Sequence, residues 1–207
     1  MKVLIVVGSA RKKGHSLEIA NNLAQRIESI GNASAKILNL AEKKIGFCFG
    51  CVKCCENEKQ YCLLKDDIHQ AYSLLEESDN IVFISPIYES FISGILKNFF
   101  DRTNHYTSFF KLAGKPISLI LNGVQPLKGK TKEFSNKHVV KNINNYFNNY
   151  SIITHTHYHF LGFIQHKEHH SIKFEADEKQ MEKIVDKILK LKKDEKLVKK
   201  SQYTYSV

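Results

Sequence analysis

The sequence lacks any long run of apolar residues, and this absence limits where the protein can reside. No apolar stretch approaches the roughly 18 residues that a membrane-spanning helix requires. Only five apolar residues, Val3 to Val7, follow Met1 and Lys2, which is too few for the apolar region of a signal peptide. We therefore expect no membrane association and a cytoplasmic location, which is a reducing compartment.

Cysteine is also absent from most of the chain. All five cysteines lie between residues 48 and 62, in the stretch CFGCVKCCENEKQYC. A chain of 207 residues can bury a sizeable core, so it does not need disulfide bonds for stability. In a reducing compartment, clustered cysteines indicate metal or redox chemistry rather than structural disulfides.

Two familiar glycine-rich phosphate motifs are missing from the first loop, GSARKKGHS. Gly8-Ser9-Ala10 does not supply the start of G-x-G-x-x-G, which excludes a Rossmann dinucleotide site. Five residues separate Gly8 from Gly14, and His15 stands where a nucleotide P-loop has lysine. A P-loop is therefore excluded as well.

The sequence does contain an alternation of apolar strands and amphipathic helices. The predicted strands are residues 2–7, 35–40, 80–85, 116–122 and 150–163. The predicted helices are residues 16–30, 66–79, 95–106, 131–148 and 175–193. Ser16 is expected to cap the first helix and Gly31 to end it. This alternation predicts an α/β fold, a doubly wound parallel sheet with helices on both faces.

No internal repeat or low-complexity linker interrupts the chain, so we predict one domain over residues 1–193 and a basic, aromatic tail over residues 194–207. Much of the formal net charge of +10 lies in residues 187–200, KILKLKKDEKLVKK. Aromatic residues are not interleaved with these charges, so we expect a solvated helix end and no binding of nucleic acid.

The first loop has the residues of a phosphate site. A loop between a first strand and its helix places backbone N–H groups at the carboxyl edge of the sheet, where ligands of doubly wound folds bind. Ser9 and Ser16 can donate hydroxyl hydrogen bonds to a phosphate, and Arg11 can add a bidentate contact. These three residues, with Leu17 beside them, are the predicted phosphate-side contacts.

The loop after the third strand, SPIYESFISG, can lie beside a planar ligand. Proline fixes its turn, tyrosine can flank a ring, serines supply hydroxyls and glycine lets the backbone come close. The predicted contacts are Pro86, Ile87, Tyr88, Ser90, Ser93 and Gly94. A plain helix-entry turn is the alternative, and the pairing with the first loop disfavours it.

Together these motifs resemble the NAD(P)H-dependent FMN reductase-like branch of the flavodoxin-like superfamily. The matching residues are Gly8-Ser9-Ala10-Arg11, Ser16, Gly50-Cys51-Val52-Lys53-Cys54, Asp66-Asp67-Ile68, Ser85-Pro86-Ile87-Tyr88, Ser93-Gly94, Leu96-Lys97 and Asp101-Arg102. The resemblance implies a five-stranded flavodoxin-like sheet of order 2-1-3-4-5 with bound FMN. It also implies a further flavin loop after the fourth strand, for which Asn122 and Gly123 are the candidates.

The same resemblance implies an enzyme that passes electrons from NAD(P)H through FMN to a small-molecule acceptor. That acceptor would be a quinone, a nitro compound, a flavin or an iron–sulfur centre, and the protein would be a homodimer or homotetramer. No acid or base is obligatory for this chemistry, so no catalytic residue is named. The alternative is an electron carrier that takes electrons from a protein partner and does not use NAD(P)H.

The cysteines are spaced Cys48-x₂-Cys51-x₂-Cys54-x₇-Cys62, with Cys55 left over. Three cysteines three apart and a more distant fourth can ligate a [4Fe–4S] cluster. The stretch resembles the compact cluster motif of the iron–sulfur flavoproteins, a subgroup of the same family. Two alternatives stay open, a zinc site with four thiolates and a loop near the flavin that holds no metal.

Overall fold

The computed structural model describes residues 1–89, 91–109, 111–123, 155–162, 164–165, 172–173 and 178–196. The strands in these ranges are β1 (Lys2–Val7), β2 (Ser34–Asn39), β3 (Asn80–Tyr88), β4 (Phe91–Ile92), β5 (Pro116–Gly123), β6 (His155–Gly162), β7 (Ile164–Gln165) and β8 (Ile172–Lys173). The helices are α1 (His15–Ser29), α2 (Ile68–Glu77), α3 (Gly94–Arg102), α4 (Asn104–Phe109) and α5 (Glu178–Lys190). Two short 3₁₀ turns lie at Leu40–Glu42 and Lys53–Cys55.

The sheet has the topology expected from the sequence. Its strand order is β2-β1-β3-β5-β6, and every neighbouring pair along this path is parallel. Counted over these five long strands the order is 2-1-3-4-5, so the predicted flavodoxin-like sheet is confirmed. The short strand β4 adds an antiparallel hairpin to the end of β3, and β7 pairs with β8 outside the main sheet.

Helices cover both faces of the sheet because its central strands are apolar on both sides. Alternate residues of β1 divide between the two cores. Val3, Ile5 and Val7 pack with apolar residues of α1 and α5, whereas Leu4 and Val6 pack with residues of α2, α3 and α4. The doubly wound architecture predicted from the alternating elements is therefore confirmed.

The structure moves two predicted boundaries. We expected β3 to end before Pro86, but it continues to Tyr88 because Ile87 and Tyr88 pair with β4. The helix expected over residues 95–106 is divided at Thr103 into α3 and α4. The helix predicted over residues 131–148 lies outside the described residues.

The predicted cap of α1 is wrong at one end and right at the other. Gly14, with a φ of 149°, precedes the helix, and Ser16 lies within its first turn. Gly31 follows the helix with a φ of 83°, a left-handed conformation that suits glycine and ends helices. Ser16 is therefore free of the capping role, and its hydroxyl has another partner.

Gly8 lies where β1 passes closest to α3. Its N–H donates to the carbonyl of Ile84 at 2.7 Å. A Cβ on Gly8 would lie 2.7 Å from the Cβ of Leu96, which is fully buried. Only glycine fits at this close approach, so the first loop and α3 are held in contact.

In the part of the chain that the structure describes, no helix combines the length and apolar character needed to cross a membrane. The predicted tail is described only to Lys196, and the amide of Asp194 donates to the carbonyl of Gly114 at 2.9 Å. The division into residues 1–193 and 194–207 stays a prediction, as does the cytoplasmic location.

Candidate functional site

The ends of β1, β3 and β5 lie side by side at the carboxyl edge of the sheet. In the strand register, Val7 at the end of β1 lies beside Ile84 of β3, and Pro86 of β3 lies beside Asn122 of β5. The predicted flavin contacts that the structure describes lie in the last residues of β3 and β5, in the segments that follow β1 and β3, and in the first turn of α1. Because the strands are parallel, these residues are brought together at one edge.

The first loop is arranged around Ser9, which is 5% exposed. The Oγ of Ser9 accepts a hydrogen bond from the backbone N–H of Arg11 at 3.2 Å, which closes a tight turn. The side chain of Arg11 is exposed, and Leu17 is half-buried in the first turn of α1. No side chain caps the first turn of α1 in the described part of the chain, so this end of the helix suits an anion.

Ser16, in the first turn of α1, joins this helix to the end of β5. Its Oγ donates to the Oδ1 of Asn122 at 3.2 Å, and both residues are buried. The sequence predicted these two residues as separate flavin contacts, and the structure brings them together. The Ser16 hydroxyl proton is used by this bond, although its oxygen can still accept.

The second loop is held to the first by Ser93. The Oγ of Ser93 donates to the carbonyl of Gly8 and accepts from the N–H of Leu96, so it also caps α3. The N–H of Ser93 donates to the Oγ of Ser85 at 3.0 Å. Ser93 is 2% exposed, so this predicted ligand contact serves to hold β1, β3 and α3 together.

Beside Ser93 the surface is open. Gly94 is exposed, and a Cβ added to it would have no atom within 4 Å. Tyr88, at the end of β3, is 48% exposed. Gly123 approaches Ile87 closely, since an added Cβ would lie 3.4 Å from the Cβ of Ile87. A bare stretch of backbone beside an accessible aromatic ring suits a planar ligand; the predicted contact Ser90 lies outside the described residues.

The four predicted metal ligands line one pocket. The pocket has a volume of about 60 Å³, far less than the roughly 300–1,000 Å³ of clefts for organic ligands. Cys55 is not among the residues that line it. The cysteines that line it are Cys48, Cys51, Cys54 and Cys62. Within the described ranges, no three His, Cys, Asp or Glu side chains are arranged as a formed metal site. The cysteines thus share a pocket without being gathered to ligand distances.

A row of polar side chains on α3 and α4 holds the cysteine loop, which is the segment of residues 46–66. Asn98 and Arg102 are one turn apart on α3, and His105 follows in the first turn of α4. The Oδ1 of Asn98 accepts from the N–H of Cys48 at 3.3 Å. His105 Nδ1 lies 2.8 Å from the carbonyl oxygen of Cys54. The sequence analysis missed this row, although the spacing of its members is the signal that could have revealed it.

Arg102 is the most constrained member of the row. Its side chain is fully buried, and its guanidinium donates to both carboxylate oxygens of Asp66 at 2.8 and 3.0 Å. It also donates to the carbonyl of Gly46 at 2.6 Å, and its Nε donates to the Sγ of Cys62 at 3.3 Å. A buried cation needs this many partners to offset the loss of its hydration.

Burial and hydrogen bonding act in opposite directions on this ion pair. Burial alone would raise the pKa of Asp66, but hydrogen bonds from Arg102, Gly46 and Ile68 lower it below the ordinary value. Burial alone would lower the pKa of Arg102, and its bonds to Asp66 and Cys62 raise it. Both groups are therefore charged at neutral pH.

Burial also acts on two neighbouring groups. It raises the pKa of Cys54 to about 12, with smaller contributions from Cys55 and the other thiols nearby. It lowers the pKa of His105, whose Nε2 has no hydrogen-bond partner among the described residues. At neutral pH Cys54 is a thiol in the metal-free protein and His105 is neutral. Binding of a metal would have to displace the proton of Cys54.

Comparison with known proteins identifies the family. A family model described as NADPH-dependent FMN reductase matches residues 1–149. An iron–sulfur flavoprotein of Archaeoglobus fulgidus is 32% identical over 115 residues, which cover 56% of this chain and 51% of that protein. An FMN-dependent NADPH-azoreductase of Staphylococcus aureus is 32% identical over 129 residues, covering 59% and 60%. The chain thus spans about half the length of the first relative.

The fold is also found among solved structures. The structure of an NAD(P)H:quinone oxidoreductase from Methanothermobacter marburgensis superimposes with a TM-score of 0.62. The match covers 91% of this chain and 95% of that one, at 15% sequence identity. At this identity the likeness shows a shared flavodoxin-like fold.

The ion pair leads to a prediction about stability. Asp66→Asn should lower the free energy of unfolding at pH 7 by about 3 kcal/mol, because it leaves the buried Arg102 charge unpaired. The folded-state pKa of Asp66 is depressed, so its contribution is complete above the ordinary value of 3.8 and is lost as the pH falls through the folded value. Urea unfolding should therefore show the difference from wild type shrinking below pH 3.8.

Asp186→Asn is the matched control. Asp186 forms an exposed pair with Lys190 at 3.4 Å, so its loss should change the free energy of unfolding by less than about 1 kcal/mol. Equal effects of the two substitutions would contradict the buried-pair argument.

Proposed function

The chain belongs to the NADPH-dependent FMN reductase family, and from that premise we propose that it is an FMN-dependent NAD(P)H oxidoreductase with a small-molecule acceptor. One observation carries the proposal. The Ser16–Asn122 hydrogen bond joins α1 to the end of β5, and the Ser93–Gly8 bond joins the start of α3 to the end of β1. The edge is therefore organised before any ligand binds, which reduces the entropic cost of binding.

The residues at this edge fit FMN. The turn at Ser9, the side chain of Arg11 and the first turn of α1 would hold the phosphate, with Leu17 beside them. The exposed Gly94 and Tyr88 would lie along the isoalloxazine ring, with Ile87 and Gly123 behind them. When bound, FMN supplies hydride acceptance from a nicotinamide nucleotide and release of electrons one or two at a time.

An activity assay tests the proposal directly. The full chain, loaded with FMN, should oxidise NADPH or NADH when a quinone or an azo dye is added as acceptor. The azo dye is included because a relative is named an azoreductase. The measurement is the loss of nicotinamide absorbance under anaerobic conditions. Bound flavin with no oxidation by any acceptor would contradict the enzyme and favour an electron carrier that is reduced by a protein partner.

Arg11→Gln should weaken FMN binding about fivefold, because it removes one exposed charge-assisted contact worth about 1 kcal/mol. Riboflavin lacks the phosphate, so its affinity should be unchanged. The measurement is the quenching of flavin fluorescence during titration. Lys13→Gln removes the same charge from the same loop and is the control for net charge. An equal loss of FMN affinity in both variants would contradict a specific contact from Arg11.

We further propose that Cys48, Cys51, Cys54 and Cys62 hold a [4Fe–4S] cluster. Three observations support it. The four cysteines line one small pocket from which Cys55 is absent, the Arg102 guanidinium lies against that pocket, and a 32% identical relative is named an iron–sulfur flavoprotein. Four thiolates are the ligand set of such a cluster, which supplies one-electron transfer when bound.

The cysteines make a matched series for testing the cluster. After anaerobic purification, wild type and Cys55→Ser should both contain about four iron and four sulfide per chain, as four-thiolate ligation of a [4Fe–4S] cluster requires. Cys51→Ser should lose most of both and the broad visible absorbance. Zinc in place of iron, or no metal in wild type with FMN still bound, would contradict the cluster and leave the flavin proposal intact.

Self-association is part of the same proposal. Phe47 and Phe49, on the cysteine loop, are 83% and 66% exposed, and Leu63 is 54% exposed. Exposed aromatic residues clustered on one loop support contact with another chain. We propose a homodimer or homotetramer, and a light-scattering mass of one 23.8 kDa chain would contradict it.

A further inference from the structure

Arg102 has a hydrogen bond that its ion pair with Asp66 does not explain. Its two terminal nitrogens bond to Asp66 and to the Gly46 carbonyl. Its remaining donor, Nε–H, points to the Sγ of Cys62 at 3.3 Å. The guanidinium is planar, so fixing its terminal nitrogens also fixes the direction of Nε–H. The Sγ of Cys62 is therefore held beside a cation whose orientation is fixed.

Tyr61, the residue before Cys62, is fixed as well. The ring of Tyr61 stacks on Tyr72 with centroids 4.5 Å apart and an interplanar angle of 24°. The hydroxyl of Tyr61 donates to Glu76 at 2.6 Å, and that of Tyr72 donates to the carbonyl of Arg102 at 2.7 Å. Tyr61, which precedes Cys62, and the backbone of Arg102 are therefore both bound to α2.

Two of the other proposed ligands, Cys48 and Cys54, are held through their backbones. The Oδ1 of Asn98 accepts a hydrogen bond from the N–H of Cys48, and His105 Nδ1 contacts the carbonyl oxygen of Cys54. Among the side-chain hydrogen bonds of the described residues, Arg102–Cys62 is the one that joins a charged donor to a ligand sulfur. Asn104 lines the same pocket and makes a comparable 3.3 Å bond from a neutral amide, but to Cys55, which does not line the pocket.

We propose that Arg102 is the positioning residue of the iron–sulfur site, directing Cys62 into the pocket and raising the reduction potential of the cluster through its N–H···S bond. This inference rests on the cluster in the proposed function. Hydrogen bonds to the sulfurs and nearby charge are known determinants of cluster potential. Reduction adds one electron and one negative charge, which a fixed cation stabilises, and no bond to the protein forms or breaks.

Lysine cannot replace arginine in this role. An ammonium is a compact charge with no planar fork, so it cannot hold Asp66, Gly46 and Cys62 at the same time. Arg102→Lys therefore separates the effect of charge from the effect of the directed hydrogen bond. Arg102→Gln removes both, and it leaves the Asp66 carboxylate without its cation.

The experiment compares cluster potentials in the anaerobically purified full chain. The variants are Arg102→Gln, Arg102→Lys, the double variant Asp66→Asn with Arg102→Gln, and Asn104→Ala as the control. Iron, sulfide and bound FMN are assayed first. Each cluster is then titrated with dithionite, and its reduced form is followed by electron paramagnetic resonance. The double variant replaces the pair by two neutral amides, so it keeps the fold testable if Arg102→Gln does not fold.

We expect removal of the guanidinium to lower the equilibrium constant for cluster reduction about tenfold, which is 59 mV for one electron. The shift should appear in Arg102→Gln or the double variant, be smaller in Arg102→Lys and be absent in Asn104→Ala. A folded, FMN-binding double variant that has lost its iron also supports the positioning role.

Three results would overturn the inference. A double variant with four iron and an unchanged potential would reject the role of Arg102 and leave the proposed function standing. An equal shift in Asn104→Ala would reject the specific bond to Cys62. Wild type that binds FMN but holds no iron would reject the cluster and this inference together.

Discussion

The arrangement of the cysteine loop depends on one buried ion pair. The pair joins Arg102, at the end of α3, to Asp66, just before α2. The pair joins two helices to both ends of the cysteine loop, because Gly46 bonds to each of its members. At its other end, α3 starts at Gly94 and is capped by Ser93, at the carboxyl edge of the sheet. One helix, about 12 Å long from Gly94 to Arg102 at 1.5 Å per residue, therefore sets the spacing between the two candidate centres.

Much of the fold could be predicted because its signals are local. Continuous apolar runs such as residues 2–7 and 116–122 belong to strands buried on both faces, and periodic apolar positions mark α1 and α5. The end of β3 could not be predicted in the same way. Pro86 indicates a turn, but it lies in strand register beside Asn122, and Ile87 beyond it pairs with Ile92. The first of these pairings joins segments that are far apart in the sequence.

The sequence predicted residues that the structure gathers at the carboxyl edge of the sheet, but the hydrogen bonds that link them could not be predicted. Ser16 and Asn122 are 106 residues apart, and nothing in either segment reveals that their side chains meet. Ser93, a predicted ligand contact, caps α3 and bonds to Gly8, and the sequence did not indicate either bond. The cysteine spacing predicted the four pocket residues and the spare Cys55. The row of Asn98, Arg102 and His105 was missed because polar residues on a helix are usually exposed.

The two ends of the cysteine loop are fastened to each other. Asp67 accepts the N–H of Lys44 at 2.7 Å and donates its own N–H to the Lys44 carbonyl, and Asp66 accepts the N–H of Gly46. Hydrogen bonds within the chain therefore offset the entropic cost of closing this loop, and no ligand in its interior is needed for closure. These bonds fasten the connection between β2 and α2 at its base, so the loop would stay closed if the proposed cluster were absent.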